Sequence, residues 1–446
     1  MLSCFYFHIF ANMITAIIIT FIIGYVCIAF EHPINVNKTA SALLTGVICW
    51  AIYALSAVFG GGHDIHHIVE ELSHHLSPIA EILIFLMGAM TIVELVDAHQ
   101  GFKVITNRIT TRNKKSLMWI ICFVTFFLSA VLDNLTTTIV MISLLRKLVH
   151  NKEERLLYTG MVVIAANAGG AWSPIGDVTT TMLWIGGQVS AVNIIKTLII
   201  PSLVCMLVPL AALSFQLKGE VEQAPYDNML AIKTETVKGS RLMFFAGILG
   251  LLFVPVFKTV THLPPYMGMM MSLGIVWVIS EIIHVDTEEE EKKAYSAIHA
   301  LQKIDLASVL FFLGILLAIS SLESLHILSN LAVFLDTSIG NQDIIVSVIG
   351  VLSAVIDNVP LVAASMGMYP LTEFPMDHKL WEFMAYAAGT GGSMLIIGSA
   401  AGVAAMGMEK IDFIWYLKKI SWLAFIGYVA GIVAYLLVYP IFAVHH

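Results

Sequence analysis

Apolar residues run through this chain in blocks long enough to cross a bilayer, separated by short polar segments. Blocks near 9–30, 39–59, 78–97, 156–185, 190–216, 242–259, 266–284, 305–323, 380–409 and 413–440 each read as a transmembrane helix, since about 20 apolar residues span the hydrocarbon core. Two further blocks, about 117–149 and 343–370, carry an acid and an amide at their middle. The phrase Ser129-Ala130-Val131-Leu132-Asp133-Asn134-Leu135 returns as Ser353-Ala354-Val355-Ile356-Asp357-Asn358-Val359. Other landmarks recur at a similar offset of about 225 residues: Gly88 falls on Gly314, Asp97 on Glu323, and Gly169-Gly170…Gly176 on Gly391-Gly392…Gly398. The pattern is that of a duplicated membrane fold.

Charge gives the two copies a direction. Lys103, Arg108, Arg112, Lys114 and Lys115 precede the first Asp-Asn block, and Arg146, Lys147, Lys152 and Arg155 follow it. Basic residues mark the cytoplasmic side, so this block enters and leaves from that side as a re-entrant hairpin with Asp133 at its tip. Five full crossings per copy is an odd number, so the second copy is turned over and its hairpin enters from outside. The stretch 324–345, free of Lys and Arg, fits that placement. The expected fold is an all-α polytopic membrane protein of two inverted repeats. Each repeat has about five transmembrane helices plus one re-entrant hairpin, with unwound helices at the centre. The first repeat covers 1–216 (hairpin about 117–149, broken helix about 156–185) and a cytoplasmic linker covers 217–240. The second repeat covers 241–446 (hairpin about 343–370, broken helix about 380–409).

Composition narrows the function classes. The chain of 446 residues is 58% hydrophobic and 12% charged, against roughly 25% charged for a soluble domain. No basic patch with interleaved aromatics is present, which argues against nucleic acid as a partner. The five cysteines lie in or beside apolar runs without a Cys-x-x-Cys pair and read as small hydrophobes. The N-terminal block lacks a basic n-region, so an uncleaved first span is expected. The Glu288–Lys293 run reads as a solvated helix end. The expected location is a bacterial inner (plasma) membrane, with the lipid bilayer as the main partner.

Chemistry concentrates in four polar segments. Asp133-Asn134 leads into Thr136, Thr137 and Thr138; Asp357-Asn358 leads into Pro360, which cannot donate an amide hydrogen. Asn167-Ala168-Gly169-Gly170-Ala171-Trp172-Ser173-Pro174-Ile175-Gly176-Asp177, followed by Thr179-Thr180-Thr181, holds enough Gly and Pro to unwind a helix mid-membrane. Its counterpart is Gly389-Thr390-Gly391-Gly392-Ser393 and Gly398-Ser399, where Ser399 stands in the place of Asp177. Carboxylates, amides, hydroxyls and freed carbonyls are the ligands a hard cation such as Na⁺ requires. A carboxylate withdrawn from water also accepts a proton near neutral pH, so one site can hold a metal ion or a proton in exchange. Separately, the loop Gly60–Ser77 holds His63, His66, His67, His74 and His75. It reads either as a pH-sensing or transition-metal element on the outer side, or as a polar loop that is rich in histidine.

These four segments resemble the NhaD family of sodium/proton antiporters, within the ion transporter superfamily that also holds ArsB-type arsenite carriers and divalent-anion symporters. The resemblance covers nearly the whole chain. It implies two hairpins and two unwound helices meeting at the membrane centre, an elevator-like motion, and often a homodimer. Carried over by motif, Asp133, Asn134, Thr136, Asp177, Thr179 and Thr180 would form a cation site, with Na⁺ at Asp133, Asn134 and Asp177. Ser353, Asp357, Asn358 and Ser393 would form its counterpart, weakened by the missing acid at Ser399. The implied activity is exchange of cytoplasmic Na⁺ (and Li⁺) for external protons, with no cofactor beyond those transported ions. Two carriers of the superfamily remain as alternatives: an arsenite or antimonite efflux carrier, and a sodium-coupled carboxylate symporter. The acids at the hairpin tips disfavour the symporter. An enzyme is not expected: Gly176-Asp177 resembles part of an intramembrane aspartyl protease motif, but Pro174 occupies the place of its first glycine.

Overall fold

The computed structural model describes residues 2–60, 65–109, 111–221, 237–286 and 288–442. Among them every regular element is helical, and extended backbone pairs only at a bridge between Asn113 and Glu220. Lipid offers no partner for backbone amides and carbonyls, so each span satisfies its own. Eight described helices are long and apolar enough to cross a membrane, or nine when the bent pair Ile327–Ile339 and Gln342–Leu352 counts as one span. The chain is a multi-pass integral membrane protein.

Two elements differ from the sequence expectation. The span expected near 78–97 is the inner part of one 34-residue helix, Ile65–Ala98. At 1.5 Å per residue it is about 50 Å long, well beyond a ~30 Å hydrocarbon core. Most of the expected His-rich loop is therefore helical. The second element is Ile327–Ile339, a separate helix that meets Gln342–Leu352 at a bend of 116°. Gly340 makes the bend in left-handed backbone, with φ +70°. In the first half the corresponding place holds only the single turn Lys103–Thr106.

The chain forms two compact units, each gathering segments from both halves of the sequence. One comprises 1–86, 305–345 and 359–375. In it, helix Lys38–Gly60 packs on Leu306–Ser324, and the Trp50 indole donates to the Leu317 carbonyl at 2.8 Å. The other comprises 87–304, 346–358 and 376–446, and holds both acid-bearing tips and both broken helices. The first broken helix is Lys152–Ala171 with Val178–Ile185; the second is Lys379–Gly391 with Ala400–Glu409. They run antiparallel, and their ends are tied. Past the end of the first, Gln188 O accepts from the Asp377 amide (2.8 Å) and Asp377 Oδ1 accepts from the Ser190 amide (2.6 Å), just before the second begins. At the opposite end, buried Glu409 accepts from Arg146 Nε (2.6 Å) and Arg155 Nε (2.8 Å), beside the start of the first.

A histidine pair joins two helix ends in this unit. His99 Nδ1 lies 2.8 Å from the Leu95 carbonyl, and only an N–H can face that acceptor. The His99 Nε2 lone pair therefore accepts from His284 Nε2–H at 3.1 Å, with Tyr295 stacked on His284. Burial holds both imidazoles below the usual histidine range, helped at His284 by the Lys238 ammonium. A second proton would set two N–H groups face to face. Because the folded values lie below the unfolded one of about 6.5, the pair's contribution is complete above that pH and is lost as the pH falls. The melting temperature of the purified protein should fall between neutral and mildly acidic pH, and H284Q should reduce that fall.

Candidate functional site

Backbone packs on backbone where each hairpin meets a broken helix. A Cβ on Gly169 would overlap the Phe126 carbonyl oxygen in the first hairpin, and one on Gly391 would overlap the Gly350 carbonyl oxygen in the second. Serines reinforce each contact. Ser129 Oγ donates to Ala166 O at 2.6 Å, and Ser353 Oγ reaches Ala388 O at 3.0 Å and Gly350 O at 2.9 Å. Ser353, expected as an ion ligand, thus serves here as a strut between hairpin and broken helix.

Three helices that restart after a break are capped by a side-chain oxygen, which accepts amide hydrogens the first turn cannot use. Asp133 separates Lys114–Leu132 from Asn134–Leu148. It holds φ +81° and ψ 161°, a region that costs a non-glycine residue of order 1–3 kcal/mol. Its carboxylate accepts from the Thr136 amide (2.8 Å) and hydroxyl (2.9 Å). Asp177 caps Val178–Ile185, accepting from the Thr179 amide (2.8 Å) and hydroxyl (2.6 Å), while the Thr180 hydroxyl donates to the Asp177 carbonyl (2.8 Å). Ser399 caps Ala400–Glu409 by accepting from the Gly402 amide at 3.2 Å.

The two hairpin tips converge on Asp177. Asn134 Nδ2 donates to Asp177 Oδ2 at 2.5 Å, and the Asn358 side chain hydrogen-bonds the same carboxylate. Asp133 and Asp357 both lie within electrostatic reach of it. The donors to Asp133 and Asp177 are neutral amides and hydroxyls, and Asp177 is 2% exposed. The second tip is looser: five non-helical residues, 353–357, stand where the first has Asp133 alone.

Asn167, which was not among the expected ligands, links the halves. Its Oδ1 accepts from Asn134 (2.9 Å), and its Nδ2 donates to Ser393 Oγ and Ser399 Oγ (2.9 Å each). Tyr416 OH donates to Ser393 O at 2.9 Å and fixes the second break from beneath. The sequence signal for Asn167 is an amide in an otherwise apolar run; for Ser399 it is the alignment with Asp177 itself. The buried hydroxyls of Thr137 and Thr138, one turn from Asp133, have no hydrogen-bond partner among the described residues.

The histidine-rich segment belongs to the unit that comprises 1–86, 305–345 and 359–375. His63 falls outside the described residues. His66, His67, His74 and His75 sit on helix Ile65–Ala98. His67 lies 3.5 Å from Glu71, and His75 lies 3.1 Å from Ser324 Oγ. Among the described residues, no three His, Cys, Asp or Glu side chains gather closely enough to hold a metal.

Known proteins share this architecture. A family model described as "Citrate transporter" (CitMHS) matches residues 25–381. "Sodium/proton antiporter 1" of Arabidopsis thaliana is 53% identical over 431 residues, spanning 96% of this chain and 73% of that protein. The "Na(+)/H(+) antiporter NhaD" of Vibrio cholerae is 30% identical over 448 residues, spanning 95% and 91%. The chain belongs to the CitMHS transporter family and groups with the NhaD-type antiporters. The crystal structure of the Alcanivorax borkumensis YdaH transporter superposes with a TM-score of 0.59 over 90% of this chain and 98% of that one. At 12% identity that likeness is one of fold.

The Asn167 bridge gives a test of the site's geometry. Asn167→Ala strands Asn134 and two serine hydroxyls. Leaving buried polar groups unpaired costs about 1–3 kcal/mol, so the Na⁺ concentration for half-maximal transport should rise about 10–100-fold with membrane insertion unchanged. An unaltered Na⁺ dependence would show that the bridge does not shape the site.

Proposed function

We propose that this protein is a secondary antiporter that carries Na⁺, and Li⁺, outward in exchange for protons moving inward. The observation that carries this reading is the convergence of both hairpin tips on Asp177. Asp133 and Asp357 both lie within electrostatic reach of Asp177, and Asp133 and Asp177 accept their hydrogen bonds from neutral groups. Carboxylates within electrostatic reach of one another repel, and a cation between them relieves that repulsion. Bound Na⁺ or bound protons each relieve the repulsion, and either excludes the other. In our reading Asp133, Asn134 and Asp177 hold Na⁺. Thr136 and Thr179 steady those carboxylates, Thr180 holds the Asp177 backbone carbonyl, Asp357 and Asn358 complete the cluster from the second tip, and Ser393 holds Asn167. The relatives named as sodium/proton antiporters support this reading.

We further infer that the chain is an inverted duplication with its boundary in the polar segment 217–240, for which the antiparallel broken helices are the support. Exposing one cluster alternately to two sides is then a change between two related packings. The membrane it requires is one that is ion-tight and energised by a proton gradient, as a bacterial inner membrane is.

The family description supplies the second reading, a citrate carrier. Electrostatics disfavours it: a polyanion would have to approach Asp133, Asp177 and Asp357, whereas a cation is attracted by all three.

Everted membrane vesicles separate the readings. Added Na⁺ or Li⁺ should collapse an imposed pH gradient, while citrate and arsenite should neither collapse it nor accumulate. Asp177→Asn should lower the Na⁺ response about 100-fold or more, because unbalancing a buried charge costs about 3–5 kcal/mol. Citrate uptake without a Na⁺-driven pH response would overturn the antiporter reading.

A further inference from the structure

Far from the ion cluster, near the other end of helix Lys379–Gly391, a fourth carboxyl is fully buried. Glu382 is 0% exposed and lies on the side opposite the Arg146–Glu409–Arg155 clamp. Eleven residues along the chain separate it from Ser393, which is about 15 Å of helix. The helices that pack around it, Ala191–Ser214 and Trp422–Phe442, offer it neutral side chains. Asn193 Nδ2 donates to Oε1, Tyr435 OH lies 3.3 Å from Oε2, and Thr197 is within hydrogen-bonding reach.

Counting hydrogens at these contacts is informative. The Thr197 hydroxyl hydrogen points to the Asn193 carbonyl at 2.8 Å. The Tyr435 hydroxyl lies closer to the Lys379 carbonyl, at 3.1 Å, than to Glu382, and a carbonyl can only accept. Each hydroxyl therefore has one hydrogen for two acceptors, a backbone carbonyl and Glu382, so an ionised carboxylate leaves an acceptor facing an acceptor at each of them. A carboxylic acid satisfies the arrangement, with its own O–H donating to a hydroxyl oxygen. The charged and titratable groups facing this point do not offset a negative charge. Asp377 is a further acid, Tyr435 and Tyr439 are phenols, and the Lys379 ammonium is drawn over the Tyr439 ring at 5.8 Å. Lys196 on the adjacent helix is exposed.

We propose that Glu382 is a second proton-binding site of the transport core, separate from the ion cluster, whose ligand is a single proton shared with hydroxyl oxygens. In the acid form it joins three helices at the end of the core away from the arginines. Losing that proton leaves an unpaired buried charge beside Asp377 and loosens the joint. A role in transport rests on the antiporter reading above; the existence of the protonated group does not.

Infrared spectra of the purified protein in lipid test it without any transport assay. At neutral pH and without Na⁺, the wild type should show a carboxylic acid C=O band that Glu382→Gln removes and that added Na⁺ leaves unchanged. Tyr435→Phe should shift the same band, which provides a second test should Glu382→Gln fail to accumulate. The melting temperature of the wild type should also drop on raising the pH above neutral, and Glu382→Gln should reduce that drop. A Glu382→Gln spectrum that superposes on the wild type in this region would overturn the proposal. Movement with Na⁺ of the band that Glu382→Gln removes would overturn its separation from the ion cluster.

Discussion

A carboxylate in the middle of a bilayer is expensive unless its surroundings replace the water it gave up. Asp177 meets that constraint through the tips of both hairpins, with Asn134 and Asn358 each supplying an amide, and through the first turn of its own helix. The rest of the core follows from it. A helix must break to free that first turn, so Gly169 and Gly176 lie where backbone crosses backbone. The partner helix must break opposite it, so that Ser393 and Ser399 can hold Asn167. Antiparallel tying at both ends keeps the two breaks level with each other.

The halves share a plan but not a role. Both have a serine strut, a glycine crossing and a side-chain cap where the helix restarts. In the first half the cap is the acid Asp177; in the second it is the hydroxyl of Ser399, which accepts hydrogen bonds without adding charge. The first tip is a single strained residue, whereas the second is a five-residue turn. The result is one fully buried acid, Asp177, bonded by the amides of two tips that also carry Asp133 and Asp357.

Much of this was legible in the sequence. Acids within apolar runs signal themselves by cost, and Gly-Gly-x-x-x-x-x-Gly marks a break in any helix. The recurring Asp-Asn phrase located both tips. The missing elements share a cause, which is that local pattern carries no information on three-dimensional partners. Asn167 is a lone amide whose importance lies in three groups distant in sequence, Asn134, Ser393 and Ser399. Residues 65–77 are polar yet helical, because they continue a long apolar helix. Ile327–Ile339 is only 13 residues, too short to stand out as a span by length, and its bend depends on the φ of Gly340. Glu382 lies at the edge of an apolar block, where an acid ordinarily reaches water, and only its packing shows that it does not.

Competition between Na⁺ and protons for one cluster is the central claim. The direct measurement is proton release from the purified protein in weakly buffered detergent solution when Na⁺ is added. Release that saturates with Na⁺, is also produced by Li⁺, and disappears in Asp177→Asn is the predicted result. Saturable Na⁺ binding with no proton released would contradict the account.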